Sequence, residues 1–342
     1  MQIFTNNDIN NVLVGSTLLA TGGGGPLEEA KSIADVSSVK VAQFSDFSPT
    51  DKVFTAFGVG GKVAVDPVES VKKALNTFEE LYNFPLVGII PVEIGPLSTA
   101  SAFFLANQLD VPLIDADIVG FRSSPEIFLE TISLKNLRRE PCVISNGKDV
   151  AVLAESSSYQ FTEKFLRSFA NLSGGEAYVI GYFLDVKDLE EVVGIKSISF
   201  AKELGKDLIC GKKEPNNYLS ILEKYDFKSF GEGIIVQEEK KVEAGYTTGK
   251  YVIKTSTDIF EIYYKNENIV MIKNGYLFLT VPDLIVLFDP STYLGLNNYD
   301  VNLNKRITIC AKRSIPIWRT DAGLKLFSPR NIGLEFDQKV FS

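Results

Sequence analysis

The sequence predicts two domains, an N-terminal α/β domain with a mixed or parallel sheet and a β-rich C-terminal domain, an α/β and α+β combination. A length of 342 residues favours about two domains at roughly 150 residues each. Apolar strands alternate with amphipathic helices in the first half, which is typical of a sheet covered on both faces. A run of short strands follows in the second half. We expect the boundary near Ser173-Gly174-Gly175, which gives domains 1–170 and 171–342.

Local signals predict each element of the first domain. Thr5 and Asp8 resemble a capping box before a helix that ends at the glycines from Gly22. Asp66 and Pro67 begin a helix whose apolar stripe runs to Tyr82. The predicted strands are 39–44, 52–57, 86–92, 111–116 and short strands near 143 and 150, and the other predicted helices are 98–108 and 159–171.

The second domain shows the hydrophobic period of β-strands, which is shorter than the period of helices. Asn274-Gly275 is the strongest hairpin signal in the chain. The predicted strands are 231–243, 251–254, 259–265, 269–272, 276–280 and 306–311, preceded by helices at 195–208 and 216–225.

The composition excludes several kinds of chemistry. The chain has no His, which excludes catalytic triads with His, Cys–His pairs and His-ligated zinc or iron. Acid–base work therefore falls to Asp, Glu, Lys, Tyr or Cys. Cys142, Cys210 and Cys310 are too far apart for a zinc motif and odd in number, which suits a reducing cytoplasm.

Charge and hydropathy indicate the class of partner. The net charge of −8 opposes affinity for a phosphate backbone, so we expect no nucleic-acid partner. The N-terminus lacks the pattern of a signal peptide, and no apolar stretch is long enough to cross a bilayer. We therefore expect a cytoplasmic protein with a small-molecule substrate and no membrane partner.

The acidic residues are concentrated in the first third. Residues 1–120 hold 14 acidic and 6 basic side chains, whereas the remaining 222 residues hold 29 of each sign. This excess has two interpretations. It is either a solvated acidic surface or a carboxylate-lined site for a cation or a cationic substrate.

A glycine-rich segment, Gly22, Gly23, Gly24 and Gly25, follows the first predicted helix. Successive glycines expose backbone N–H groups, which can bind an anion at a helix N-terminus. Glu28 and Glu29 oppose phosphate binding there, and the segment matches neither the dinucleotide nor the P-loop pattern. The alternative is a tight loop that lets the backbone pass close to a neighbouring element.

Carboxylates follow two apolar strands of the predicted sheet. Glu93 follows one strand, and Asp115 and Asp117 close the next. Ligands in open α/β sheets lie beyond the carboxyl ends of strands, so these side chains and Arg122 could converge. Gly58, Gly60 and Gly61 follow a third strand at the same edge. The alternative is that the carboxylates cap loops or form ion pairs.

Several motifs resemble one family in order along nearly the whole chain. They are ATGGGGP (20–26), VEIG (92–95), PLIDADIVGFRSSPE (112–126), YKNENIV (264–270), TVPDLIVLFD (280–289) and IWRTDAGLKLFSPRNIG (317–333). This combination resembles the proteins related to S-methyl thiohydantoin desulfurase, which often occur beside hydantoinase/oxoprolinase-type proteins. The resemblance implies two domains and action on a five-membered cyclic amide, of the thiohydantoin or hydantoin type.

The sequence departs from that family at two loops. The family usually continues Glu-Ile-Gly with Gly and Asn, whereas Pro96, Leu97 and Ser98 stand here. The usual Asp-Gly-Met-Gly-Arg run is replaced by the segment from Asp117 to Arg122. Both changes fall within the expected site, so the substrate is not carried over from the family.

The hypothesis that follows is a hydrolase without His. We expect Glu93, Asp117 and Arg122 to be catalytic, with the two carboxylates as base or as ligands of Mg²⁺, Mn²⁺ or Ca²⁺, and Arg122 as the substrate anchor. The expected substrate-binding residues are Gly22, Gly23, Gly24, Gly25, Gly95, Asp115 and Glu126. The alternative is a non-catalytic small-molecule-binding protein or partner subunit of a hydantoinase/oxoprolinase-like system. A homo-oligomer is also a candidate assembly.

Overall fold

The computed structural model describes residues 1–60, 65–82, 85–213, 217–243, 246–299 and 301–341. These residues form helices and two eight-stranded sheets, one mixed and one antiparallel, which confirms the predicted fold class. The helices are α1 (Asn6–Leu19), α2 (Leu27–Ile33), α3 (Pro67–Leu81), α4 (Pro96–Gln108), α5 (Tyr159–Leu172), α6 (Val186–Leu189), α7 (Ser197–Gly211), α8 (Tyr218–Lys224) and α9 (Asp321–Leu326). None of these helices is long and apolar enough to cross a membrane.

The first sheet is mixed. Its strands are β1 (Gln2–Thr5), β2 (Ser38–Ala42), β3 (Lys52–Gly60), β4 (Leu86–Ile89), β5 (Leu113–Ile114), β6 (Cys142–Ser145), β7 (Val150–Leu153) and β8 (Glu176–Asp185). Their order is β1-β2-β5-β4-β3-β8-β6-β7. The four strands from β2 to β3 in this order are parallel, and the strands on either side are antiparallel.

The second sheet is antiparallel throughout its described pairings. Its strands are β9 (Lys228–Glu243), β10 (Tyr246–Thr255), β11 (Ile259–Lys265), β12 (Glu267–Lys273), β13 (Tyr276–Thr280), β14 (Leu284–Asp289), β15 (Leu294–Gly295) and β16 (Arg306–Lys312). Their order is β13-β12-β11-β10-β9-β16-β14-β15. The predicted hairpin at Asn274-Gly275 joins β12 to β13, and both residues have positive φ.

Several predicted elements agree with the structure and others are shorter. Thr5 and Asp8 form the capping box of α1. Strands β4 and β5 end earlier than predicted because the chain leaves the regular ladder, although Ile90 N–H still donates to Phe54 O (2.9 Å) and Asp115 N–H to Ala42 O (2.8 Å). Helix α8 begins at Tyr218, and residue 216 of the predicted helix lies outside the described residues, as does Gly61.

The first sheet continues past the expected domain boundary. Strand β8 begins at Glu176 and lies between β3 and β6. The two halves also share one core, in which Val286 and Phe288 of β14 lie with Val12 and Leu18 of α1. An exposed linker near residue 170 stays a prediction.

Helices α1 and α7 are in close contact, which fixes the position of the loop that follows α1. A Cβ at Gly15 would lie 1.9 Å from Ala201 O, and a Cβ at Gly205 would lie 1.8 Å from Asn11 O. Both distances are far below van der Waals contact. The backbones therefore approach because both positions are glycine.

We predict that Gly205→Ala destabilises the protein although Ala favours helix formation. Overpacking of a core costs about 1–3 kcal/mol, whereas Gly to Ala at an exposed helix position gains up to about 1 kcal/mol. Urea unfolding of parent and variant measures the difference. The control is Lys206→Ala, at an exposed neighbour on α7, with an expected change within about 0.5 kcal/mol. A stabilised Gly205→Ala protein would contradict the close contact.

Candidate functional site

A cavity of about 480 Å³ lies where the first sheet meets the second. The first half contributes Gly22–Gly25, the end of β3, and residues that follow β4. The second half contributes Asn266, which lies between β11 and β12, Glu267 at the start of β12, and Asn297 and Asn298 from the loop after β15. Both halves are therefore needed to form the cavity.

The four-glycine loop is packed against the second half of the chain. A Cβ at Gly23 would lie 1.9 Å from Glu267 Oε1, and a Cβ at Gly22, whose φ is +99°, would lie 2.4 Å from Asn298 Nδ2. A Cβ at Gly25, with φ +77°, would lie 2.1 Å from Leu97 Cδ1. These contacts agree with the tight-loop interpretation, because only glycine fits. No described hydrogen bond uses the N–H of Gly24 or Gly25, although both residues line the cavity.

Backbone and side-chain hydrogen bonds hold the loop in place. Asn268 N–H donates to Thr21 O at 2.7 Å, and Asn298 N–H donates to Gly22 O at 2.7 Å. Asn298 Nδ2 donates to Asn268 Oδ1 at 2.9 Å. Two buried acceptors on the cavity wall, Asn298 Oδ1 and Glu267 Oε2, have no hydrogen-bond partner among the described residues. Such acceptors are suited to N–H donors of a ligand.

Glu93 and Glu267 form a carboxyl pair on the cavity wall. Glu93 Oε2 accepts from Ser124 N–H at 2.9 Å, and the Ser123 hydroxyl lies 3.0 Å from Glu267 Oε1. Burial, and then the charge of Glu267, raises the pKa of Glu93 well above its usual range. Burial raises the pKa of Glu267 to about 7, against the opposing effects of Ser123 and Arg122. The pair can therefore hold a proton near neutral pH.

A second group of charged residues on the cavity wall contains Glu126, Glu163 and Arg167. Contacts of Glu126 with Tyr246 and Lys265 join it to the second half of the chain. Tyr246 OH donates to Glu126 Oε2 at 2.7 Å, and Lys265 Nζ pairs with Glu126 Oε1. Glu163 Oε1 lies 2.9 Å from Arg167 Nη2. Burial, and then the charge of Glu126, raises the pKa of Glu163 to about 7. Glu126 therefore lines the cavity as the partner of Lys265, and its role in substrate binding stays a prediction.

Asp115 and Asp117 lie beside the predicted sheet edge but do not line the cavity. Asp117 accepts from Gly120 N–H at 2.6 Å and Phe121 N–H at 2.8 Å. Burial raises the pKa of Asp117 to about 7. Asp115 accepts from Ser199 N–H at 2.8 Å and Ser199 Oγ at 2.6 Å, which attaches α7 to the sheet. These contacts agree with the alternative interpretation, in which the carboxylates cap loops instead of binding a ligand.

Arg122 is fully buried between the halves and does not line the cavity. Its Nε donates to Ser123 O at 2.9 Å, its Nη1 donates to Pro282 O, and its guanidinium lies 4.4 Å from the centre of the Phe327 ring. The described ion pairs include none between Arg122 and Asp117 or Glu126. Burial lowers the pKa of Arg122 to about 10, which leaves it cationic at neutral pH.

Gly95 and the residues after it position α4 against the four-glycine loop. Gly95 is the N-cap of α4, and a Cβ there would lie 2.9 Å from Gly24 Cα. Pro96 occupies the first turn, and Leu97 N–H donates to Gly24 O at 2.9 Å. Pro96 and Leu97, which depart from the family pattern, therefore contact the four-glycine loop and help to hold it in place. Ser98, the third residue of this departure, lines the cavity.

Of the two predicted metal ligands, Glu93 lines the cavity and Asp117 does not. Among the described residues, no group of three or more Cys, Asp or Glu side chains is arranged to hold a metal ion. Glu267 and Asn298 line the cavity but are not among the site residues that the sequence predicts. The signal for Glu267 was an acidic residue, flanked by Asn266 and Asn268, at the start of an otherwise apolar strand.

We predict that Glu267→Gln stabilises the protein increasingly as the pH rises. An ordinary Glu has a pKa of 4.5, whereas the pKa of Glu267 in the folded protein is about 7. Between these two pH values the native state therefore binds more protons than the unfolded state. Raising the pH through this window costs native stability, because the buried group ionises. Gln has no such cost. The advantage of the variant in free energy of unfolding should grow by on the order of 2 kcal/mol from about pH 5 to about pH 8.

Urea unfolding at the two pH values measures this difference. Glu28→Gln is the control, because Glu28 is exposed, pairs with Lys31 and does not line the cavity. An advantage of Glu267→Gln that is the same at both pH values would contradict a raised pKa.

Comparisons with known proteins agree with the resemblance seen in the sequence. The family model described as "S-Me-THD-like, N-terminal domain" matches residues 7–156, and "S-Me-THD-like, C-terminal domain" matches residues 156–340. No curated protein matches the chain significantly. A crystal structure of a protein from Chromobacterium violaceum is similar with a TM-score of 0.82 and 17% identity, over 100% of this chain and 99% of that one. That likeness shows a shared fold, and the two family matches show that the chain belongs to the S-Me-THD-like family.

Proposed function

We propose that the cavity binds and hydrolyses a small five-membered cyclic amide of the thiohydantoin or hydantoin type. The observation that carries this proposal is the buried Glu93–Glu267 carboxyl pair beside a glycine loop in which the N–H groups of Gly24 and Gly25 have no described hydrogen bond. A volume of about 480 Å³ is in the usual range for small-molecule sites. Membership of the S-Me-THD-like family supports this class of ring.

The two carboxyl groups supply one acid and one base. Neighbouring carboxylates do not both ionise readily, so the pair titrates as a unit and holds one proton near neutral pH. The Ser123 hydroxyl and the charge of Arg122 favour the ionised form of Glu267. Glu267 is therefore assigned as the general base, and Glu93 as the general acid.

The reaction adds one water to the ring carbon. Glu267 takes a proton from the water as its oxygen bonds to that carbon, and negative charge develops on the ring. The C–N bond of an amide, or the C–S bond of a thioimidate, then breaks. The nitrogen or sulfur of the broken bond receives the proton from Glu93, so the ring opens with a neutral N–H group that stays attached, or a neutral thiol leaves. Glu267 then returns its proton to Glu93. In this proposal the N–H groups of Gly24 and Gly25 donate to the developing negative charge.

A non-catalytic binding protein is the second candidate. The observation in its favour is that Asp117 and Arg122, both expected to be catalytic, are engaged in loop and interdomain contacts instead. The cavity then has a carboxyl pair without the further charged groups that were expected to act on the ring. A protein of this kind would bind the cyclic amide and release it unchanged.

We predict that Glu93→Gln and Glu267→Gln each lower kcat for a cyclic amide by about 10²–10⁴-fold while the Kd changes far less than kcat. Loss of a general acid or base has an effect of this size, and Gln preserves the shape of Glu. Chromatography of the product measures the turnover of hydantoins. A thiol reagent measures the thiol that is released from S-methyl thiohydantoins. Glu28→Gln, outside the cavity, should retain parent activity.

The pH profile gives an independent readout. In the parent, kcat/KM should rise as Glu267 ionises near pH 7 and fall at higher pH as Glu93 loses its proton. Binding without turnover at any pH would establish the second candidate. A parent protein that neither binds nor hydrolyses these rings would contradict the proposed function.

A further inference from the structure

The described lining of the cavity is strongly acidic. It contains seven glutamates and one cationic side chain, Arg167. Three of the glutamates already have cationic partners, in the pairs Glu126–Lys265, Glu130–Arg139 and Glu163–Arg167. Two others, Glu93 and Glu267, form the inner carboxyl pair. The remaining two, Glu29 and Glu176, have no described ion pair.

Glu29 and Glu176 both line the cavity, where Glu29 is exposed and Glu176 is partly exposed. Glu29 belongs to the first turn of α2, and Glu176 begins β8. The charge of Glu29 contributes to the raised pKa of Glu176, after the larger effect of burial, so two carboxylates repel one another there. Glu176 accepts a hydrogen bond from Val65 N–H, and this contact brings no compensating charge.

An aromatic ring lies beside these carboxylates. Tyr178 is buried and lines the same cavity, and burial, followed by the charges of Glu176, Glu29 and Asp66, raises its pKa. Gly58 is a neighbour of this ring, since a Cβ there would lie 3.5 Å from Tyr178 Cε1, which is an ordinary van der Waals distance. Carboxylates beside a tyrosine ring are a setting that stabilises an ammonium or guanidinium group.

The inner end of the cavity gives a second, independent indication of the ligand. Glu267 and Asn298 are 3% and 1% exposed, and each has a wall acceptor without a partner among the described residues. Leaving such acceptors unpaired costs free energy, so a ligand with N–H donors is favoured there. The cavity therefore offers acceptors at its inner end and negative charge at its outer end.

We propose that the ligand is a cyclic amide with a cationic side chain, an ammonium or guanidinium group that lies between Glu29 and Glu176 beside Tyr178. Its ring N–H groups face Glu267 and Asn298. The ring rests on the proposed function, whereas the cation site rests on the charge of the lining. An anionic side chain is excluded, because it would be desolvated among carboxylates. The acidic excess of the first third, which includes Glu29, is thereby explained in part as a site for a cationic substrate.

Three hydantoins of matched size test the proposal on the full-length protein. They carry an aminobutyl, a butyl or a carboxypropyl side chain, and calorimetry measures the Kd of each. The aminobutyl compound should bind about tenfold more tightly than the butyl compound, and the carboxypropyl compound most weakly. Added salt should reduce this preference, since the outer carboxylates are partly exposed.

Substitutions locate the preference. Glu29→Gln and Glu176→Gln should each weaken binding of the aminobutyl compound, and the double variant should bind it no better than the butyl compound. Affinity for the butyl compound should stay unchanged in all of them. Glu28→Gln is the matched control, because it lies next to Glu29 on α2, pairs with Lys31 and does not line the cavity.

The outcomes separate this proposal from the proposed function. Equal binding of the three hydantoins, or a preference that survives in the double variant, would overturn the cation site and leave the proposed function standing. If no hydantoin binds, the proposed function fails. The cation site is then tested by whether agmatine or butyrate stabilises the folded protein. Stabilisation of the parent by agmatine but not butyrate, lost in the double variant, would support it. Equal effects of the two compounds would overturn it.

Discussion

The close approach of the four-glycine loop to the second half of the chain is the constraint on which the site depends. Gly23 has no Cβ, so the loop packs directly against the carboxyl group of Glu267. The N–H groups of Asn268 and Asn298 hold the loop through Thr21 O and Gly22 O. This packing closes the cavity and removes Glu267 from water. Burial then raises its pKa, so the proposed acid–base chemistry is a consequence of how the halves pack.

Local patterns predicted the fold well because they report local physics. The Thr5–Asp8 capping box and the Asn274-Gly275 turn each depend on a few neighbouring residues, and both occur in the structure. The strand-end rule indicated the region of the cavity, since Glu93 follows β4 and lines the cavity. Asp115 and Asp117 follow β5, yet their carboxylates turn to backbone N–H groups. Sequence position does not fix side-chain direction once the chain has left the ladder.

The missing part of the site required contacts between distant residues. Glu93 and Glu267 are separated by most of the chain, and neither periodicity nor spacing reveals that β12 brings Glu267 beside the glycine loop. Arg122 shows the same limit. Its position after a strand end suggested a ligand anchor, but Pro282 and Phe327 of the second half engage its guanidinium. It contributes to the site through its charge, which favours ionised Glu267.

The absence of His leaves burial and like-charge repulsion as the means of placing a titrating group near neutral pH, and the Glu93–Glu267 pair uses both. Carbon NMR of protein with isotope-labelled glutamate, titrated from about pH 4 to about pH 10, measures this most directly. The account predicts a carboxyl resonance that titrates near pH 7 and is lost in Glu267→Gln. A second, with a higher midpoint, should be lost in Glu93→Gln. Ionisation of both groups in the ordinary range of Glu, about pH 4 to 5, would contradict the account.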